Sequence, residues 1–337
     1  MTALPVSAPP PRRQRIWRFA LVAALTGLGL AVVVLQGHLP HPRQVLTALT
    51  GAGYGWVVVA GLLQAASLAA FAAQQRRILA ALGVRLPRRD AMAITLTRTA
   101  LSVAVPAGAA VSTGYAIREY QRAGGTGETG AAAAVVSGLT AIGGLALLYI
   151  GGGAVVAANH AATFLSWRPL AVVVGLTALV GTAVTFGRRQ RERSPRDAPR
   201  FLHVLNGPLA KARQAWRAGA ALRPRDWSVA LAYAVVNWIT DLLCFAATTR
   251  AFHLPTSLAT LAGIYLAVQV LRQVPLTPGG AGVVDTAYIA SLTAAGASAA
   301  GGTAAVLVYR LLSCWLIIPA GAVVALTRGQ FRRTRSG

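Results

Sequence analysis

The sequence predicts an all-α polytopic membrane protein with about six full transmembrane helices and two re-entrant helical hairpins arranged as an inverted-topology repeat. Three properties lead there. Of 337 residues, 55% are hydrophobic and only 12% charged, about half the charged share of an ordinary soluble domain. Several apolar runs are long enough to cross a bilayer core of ~30 Å, for which a helix needs about 20 residues. The charges, 32 basic against 8 acidic, are distributed along the chain so unevenly that they set an orientation. This composition excludes a water-soluble globule, and its apolar richness excludes disorder.

The six runs are 17–36, 54–73, 131–157, 170–186, 228–249 and 302–326. The first exceeds the h-region of a signal peptide, and no A-x-A site follows it before Pro40, so it is expected to be retained as a span. Basic residues then assign the sides. Arg12, Arg13 and Arg15 precede the first run and Arg18 stands at its start. Arg76, Arg77, Arg85, Arg88 and Arg89 follow the second, Arg118 and Arg122 precede the third, eleven lie between Arg188 and Arg225, and four follow the last. These place 26 on one side against Arg43, Arg168 and Arg250 on the other, with Arg98, Arg272 and Arg310 inside apolar segments. By the positive-inside rule the 26 are cytoplasmic. The expectation is a plasma-membrane protein with both termini inside: a basic tail 1–15, one membrane domain 16–327 with halves 16–157 and 170–327, a cytoplasmic basic loop 187–227, and a tail 328–337. The net charge of +24 is then a topology signal and an attraction for anionic inner-leaflet lipid at the basic loop, not a sign of nucleic-acid binding. Residues 202–222 suit an amphipathic helix on that leaflet or a solvated linker.

Two further apolar stretches, 91–117 and 258–293, are interrupted by Pro and Gly. Proline removes a helical N–H and clashes with the preceding turn, so each stretch should break there. Both flanks of the first carry cytoplasmic charge, so it should enter from inside and return; parity makes the second enter from outside and return. Irregular backbone at membrane depth persists only where protein buries it or it lines a cavity. The breaks also resemble each other. Residues 106–111 read PAGAAV and 278–283 read PGGAGV, four of six identical, and Tyr115 and Tyr288 follow. Paired interruptions in two oppositely oriented halves point to a transport site.

At these residues the chain resembles the transmembrane region of lysylphosphatidylglycerol synthases, flippase-like integral membrane proteins. The stretches that carry the resemblance are VPAGAAVSTGYAIREYQRAGG at 105–125, PGGAGVVD at 278–285 and YRLLSCW at 309–315. The acid after the glycine motif is Asp285, where the family more usually has Glu. About ten residues follow the last run, so the family's soluble aminoacyl-transferase domain and its lipid lysylation chemistry are not expected here. The resemblance implies the membrane fold and a lipid-handling role.

The candidate site residues are charges inside apolar segments and glycines at the breaks. Arg98, Arg272, Arg310, Asp241 and Asp285 would each cost about 2.5–3.5 kcal/mol at mid-membrane on insertion scales, which makes function the first reading and an internal ion pair the competing one. The competing reading closes a hairpin by pairing Arg272 with Asp285, and makes Asp241 the ion-pair partner of Arg310. Gly108, Gly279 and Gly280 open helices whose free N–H groups suit an anion; close helix packing is the competing reading. The guanidinium of Arg272 fits phosphate oxygens. Neither metal nor other cofactor is expected: Cys244 and Cys314 sit in apolar runs, and the five histidines lack ligand spacing. No P-loop, H-E-x-x-H or G-x-S-x-G occurs. The expected function is binding and translocation of a phospholipid or lipid-linked anion. The alternatives are a lipid-modifying enzyme or enzyme subunit, and a membrane scaffold or regulatory partner.

Overall fold

A computed structural model describes residues 49–105, 108–158, 217–272 and 282–333, with Arg43, Thr47 and Gly280 besides. Among the described residues there are helices and no strand. In chain order they are α1 (Tyr54–Ala81), α2 (Arg88–Ala104), α3 (Gly108–Arg122), α4 (Gly127–Ala158), α5 (Pro224–Ala251), α6 (Leu258–Arg272), α7 (Val283–Ala294), α8 (Ala299–Arg310) and α9 (Ile317–Arg333). A π-helical turn, Leu311–Trp315, joins α8 to α9.

Four of these are long and apolar enough to cross a membrane: α1, the Gly127–Gly152 part of α4, α5, and the continuous Ala299–Arg328 stretch from α8 into α9. They match four of the six expected runs. The other two, 17–36 and 170–186, lie outside the described residues, as do Gly279 and most of the basic loop. The spans carry their apolar residues outward as well as inward. Leu62, Ile150 and Val323 are each more than half exposed, which suits a lipid surface and no aqueous one.

Each interrupted stretch forms two shorter helices packed on one another, α2 with α3 and α6 with α7. Val105 is extended, at φ −118° and ψ 138°, the conformation a following proline imposes on its neighbour. Local chemistry starts the other helices. Pro224 occupies the first turn of α5, where its missing N–H has no helical partner to lose. The Ser298 hydroxyl accepts from the Gly301 N–H to cap α8.

α1 and α5 form the central pair. The Gly53 N–H donates to the Ala251 carbonyl (2.8 Å), the Ser67 hydroxyl to Asn237 Oδ1 (2.9 Å), and Gln74 Nε2 to the Ala230 carbonyl (3.3 Å). Arg77 pairs with Asp226 at 2.6 Å. The numbers in each pair add to 303 or 304, so the helices run antiparallel. They meet near their midpoints, at Ser67 and Asn237. Small residues on this face, Ala60, Ser67, Ala70 and Ala234, let the backbones approach, as membrane helices favour.

Two apolar clusters flank this pair. One gathers Tyr149, Phe245, Tyr265, Tyr288, Leu292 and Tyr309. The other gathers Ile78, Leu79, Val84, Ile94, Tyr120 and Val136. At the end of the molecule where α1 finishes and α2 begins, Arg328 of α9 bonds Asp90 of α2 and reaches Glu119 of α3, which also pairs with Arg122. Gly321 lets α9 lie directly on α2. A Cβ there would stand 2.5 Å from Ala100 Cβ and 2.7 Å from the Leu96 carbonyl.

Candidate functional site

Four of the five charges expected at membrane depth converge. Asp241 lies on α5, ten residues before its end at Ala251, within about 6 Å of the helix midpoint at 1.5 Å per residue. Arg310 is the twelfth residue of the thirty-residue Ala299–Arg328 span, and so also close to mid-depth. Arg272 closes α6, and Asp285 stands in the first turn of α7.

Arg310 and Asp285 form an ion pair, Nε to Oδ1 at 2.6 Å, with both side chains largely buried. The other carboxylate oxygen of Asp285 accepts the Gly282 N–H at 3.1 Å. One side chain thus holds the start of α7 and ties it to the last span. Gly280 and Gly282, at φ +71° and +84°, occupy the left-handed region that a side chain disfavours. Arg310 also donates from Nη1 to Cys314 Sγ at 3.1 Å, across the π-helical turn. There the Leu316 N–H reaches the Leu311 carbonyl, five residues back. Pro319 follows, and cannot donate to the Trp315 carbonyl. Isolated π turns of this kind mark functional sites more often than chance.

Asp241 is held differently. Its Oδ2 accepts from Tyr265 (2.6 Å) and Tyr309 (3.1 Å), and it lies in the fields of Arg272 first and Arg310 second. Among the described residues it makes no contact ion pair with either. Phe245, Tyr288 and Tyr309 close the cluster with ring centroids 4.7–5.7 Å apart. Arg272 lies near Asp241, Tyr288, Tyr309 and Cys314, and of these only the Asp241 carboxylate carries a charge. Arg272 too makes no contact ion pair among the described residues.

Arg98 and Gly108 are placed elsewhere, in the half formed by α1 to α4. The Arg98 guanidinium lies 5.0 Å from the Phe71 ring centroid, a cation–π distance, and next to the Tyr120 hydroxyl. That hydroxyl donates to Gln75 Oε1, and Gln75 donates to Ser137. At Gly108 a Cβ would stand 2.3 Å from the Ser102 carbonyl oxygen, so α3 leaves the break pressed against the end of α2. Packing within its own hairpin therefore excludes a side chain at this position.

Reading the sequence for charges alone passes over the tyrosines and the π turn. A signal for the tyrosines is present: Tyr309 adjoins Arg310, Tyr288 follows Asp285 by one helical turn, and Tyr265 precedes Arg272 by two. Nothing in the residue pattern marks the π turn. Among the described residues no group of His, Cys, Asp and Glu is arranged to hold a metal.

Residues 16–321 match the model of the lysylphosphatidylglycerol synthase TM region. The chain is also 26% identical over 144 residues to a UPF0104 membrane protein of Methanothermobacter thermautotrophicus, a match spanning 42% of this chain and 40% of that protein.

Proposed function

Since this chain belongs to the lysylphosphatidylglycerol synthase TM-region family, we propose that it binds a phospholipid or lipid-linked anion within the membrane and carries it between leaflets. The observation that carries this reading is Arg272. It is a guanidinium at the end of α6, beside the Pro- and Gly-rich interruption. Arg310 is engaged by Asp285, whereas Arg272 has no contact ion pair among the described residues. A planar cation in that position is available to phosphate oxygens, and keeping it at membrane depth for packing alone would be costly.

The inverted repeat is part of the proposal. The order long, short, short, long runs through α1–α4 and again through α5, α6, α7 and the α8–α9 span. The first members of each set, α1 and α5, have equal length and cross antiparallel at their midpoints, which is what a two-fold axis in the membrane plane requires. The two interruptions then form re-entrant hairpins from opposite sides. The end rich in Arg faces the cytoplasm, both termini lie there, and the basic loop attracts anionic lipid. Arg98 with Gly108 at one break, and Arg272 with Gly279 and Gly280 at the other, are the proposed phosphate contacts. Rocking one half against the other would expose the path to each leaflet in turn. Asp285 and Arg310 hold the second break to the last span.

Reconstitution in vesicles with a fluorescent phospholipid, read by quenching of the outer leaflet, tests this. Wild type should move the lipid, Arg272→Ala and Arg310→Ala should abolish movement while still inserting, and Arg272→Lys should be impaired because a point charge lacks the two-pronged contact. Wild-type rates in both alanine variants would leave the arginines with a purely structural role.

A further inference from the structure

We infer that Gln269 forms a polar subsite beside Arg272 for a neutral group that both donates and accepts a hydrogen bond, a hydroxyl of the lipid headgroup whose phosphate Arg272 holds. The inference deepens the translocation reading and rests on it for the identity of the ligand. Gln269 is fully buried on α6. Among the described residues neither its Nε2 nor its Oε1 has a hydrogen-bond partner. Burying an amide without partners is unfavourable, and native folds leave few such groups empty. This fold satisfies comparable side chains: Gln74, equally buried, donates to Thr140 at 2.7 Å, and Gln75 donates to Ser137 and accepts from Tyr120. Among the described residues Gln269 is the buried glutamine left with both ends open.

Helix geometry gives its direction. Tyr265, Gln269 and Arg272 are four and three residues apart, which puts them on one face of α6. Tyr265 donates to Asp241, and Arg272 lies near the Asp241 carboxylate, Tyr288 and Tyr309. The face they share is therefore the one turned to the polar cluster, and Gln269 stands between them. It is one turn from Arg272, about 4.5 Å along the axis. A single headgroup can span that separation, with phosphate oxygens at the guanidinium and a hydroxyl at the amide. A primary amide supplies two donors and an acceptor without charge, which suits a hydroxyl and gives an ammonium group only the carbonyl end.

The test compares two lipids of equal charge. The full-length protein is reconstituted in phosphatidylcholine vesicles carrying labelled phosphatidylglycerol or labelled phosphatidylmethanol, which lacks headgroup hydroxyls. Wild type should move the glycerol lipid about tenfold faster, the worth of one or two net hydrogen bonds, and Gln269→Met should bring the ratio close to one. A wild type that does not distinguish the lipids, or a ratio unchanged in Gln269→Met, overturns the subsite. If neither lipid crosses in wild type, translocation fails, and the subsite is read by binding instead. Phosphatidylglycerol should then raise the melting temperature in detergent more than phosphatidylmethanol does, and Gln269→Met should erase the difference; equal shifts in wild type overturn the subsite. Gln269→Leu, read in the same ways, serves if the Met variant does not fold. Without lipid, Gln269→Met should melt no lower than wild type, because it removes an unpaired buried amide; a lower melting temperature would mean the amide has a partner within the protein, and would overturn the inference.

Discussion

In the proposed mechanism Arg310 has two roles, a tie between α7 and the last span and a service to the substrate. Its ion pair with Asp285 is largely buried, and removing one partner of such a pair strands the other, at a cost of about 3–5 kcal/mol. Arg310→Ala should therefore lower stability by that order in detergent unfolding. The double variant Arg310→Gln with Asp285→Asn leaves no lone charge and should recover most of the loss. Lipid movement should stay impaired in the double variant if Arg310 also serves the substrate; recovery of both stability and movement would make the pair a strut. The residues of this cluster were legible in the sequence, because an ionisable side chain in an apolar run stands out. Their pairing was not. Sequence order allows Arg272 with Asp285 and Arg310 with Asp241 as readily as the observed arrangement. Which acid meets which base is decided by how each helix is rotated about its axis, and that depends on packing among tyrosines that charge counting ignores. The same blindness hid Gln269, an uncharged residue whose interest lies in an amide without a partner among the described residues.

At the scale of elements, the breaks were legible and the close contacts were not. Val105–Pro106 and the Pro–Gly run before α7 announce themselves through backbone restrictions that act on neighbouring residues. By contrast, Gly321 is one of many glycines in the chain, and only the crossing of α9 over α2 reveals that a methyl group there would strike Ala100 and the Leu96 carbonyl. Gly321→Ala should cost about 1–3 kcal/mol, the usual penalty for overpacking a tight contact, with a lower melting temperature. Gly138→Ala, where an added Cβ meets nothing within 4 Å, should melt at or above the wild-type temperature. Equal melting temperatures for the two variants would mean that α9 can move off α2 without loss. The π turn at Leu311–Trp315 escaped prediction for another reason. One extra residue in a turn barely alters hydrophobic periodicity, so a span containing it reads as ordinary helix.

For the whole molecule, the central claim is that two halves of opposite orientation enclose one lipid path. Four spans and both interrupted stretches support it through their order and through the midpoint crossing of α1 and α5; the first and fourth expected spans lie outside the described residues. Orientation was read in the sequence from the distribution of arginines, and this reading requires that neither interrupted stretch crosses the membrane. Single cysteines at exposed positions test that requirement directly. Arg85 and Arg122 flank the first stretch, while His253 and Ala294 flank the second, and all four are exposed. The native Cys244 and Cys314 are buried, which keeps background labelling low. With a membrane-impermeant thiol reagent, Arg85→Cys and Arg122→Cys should both label only from the cytoplasmic side, and His253→Cys and Ala294→Cys only from the opposite side. If Arg85→Cys and Arg122→Cys label from different sides, the first stretch crosses the membrane, the halves are not inverted copies, and the proposed path between leaflets is contradicted.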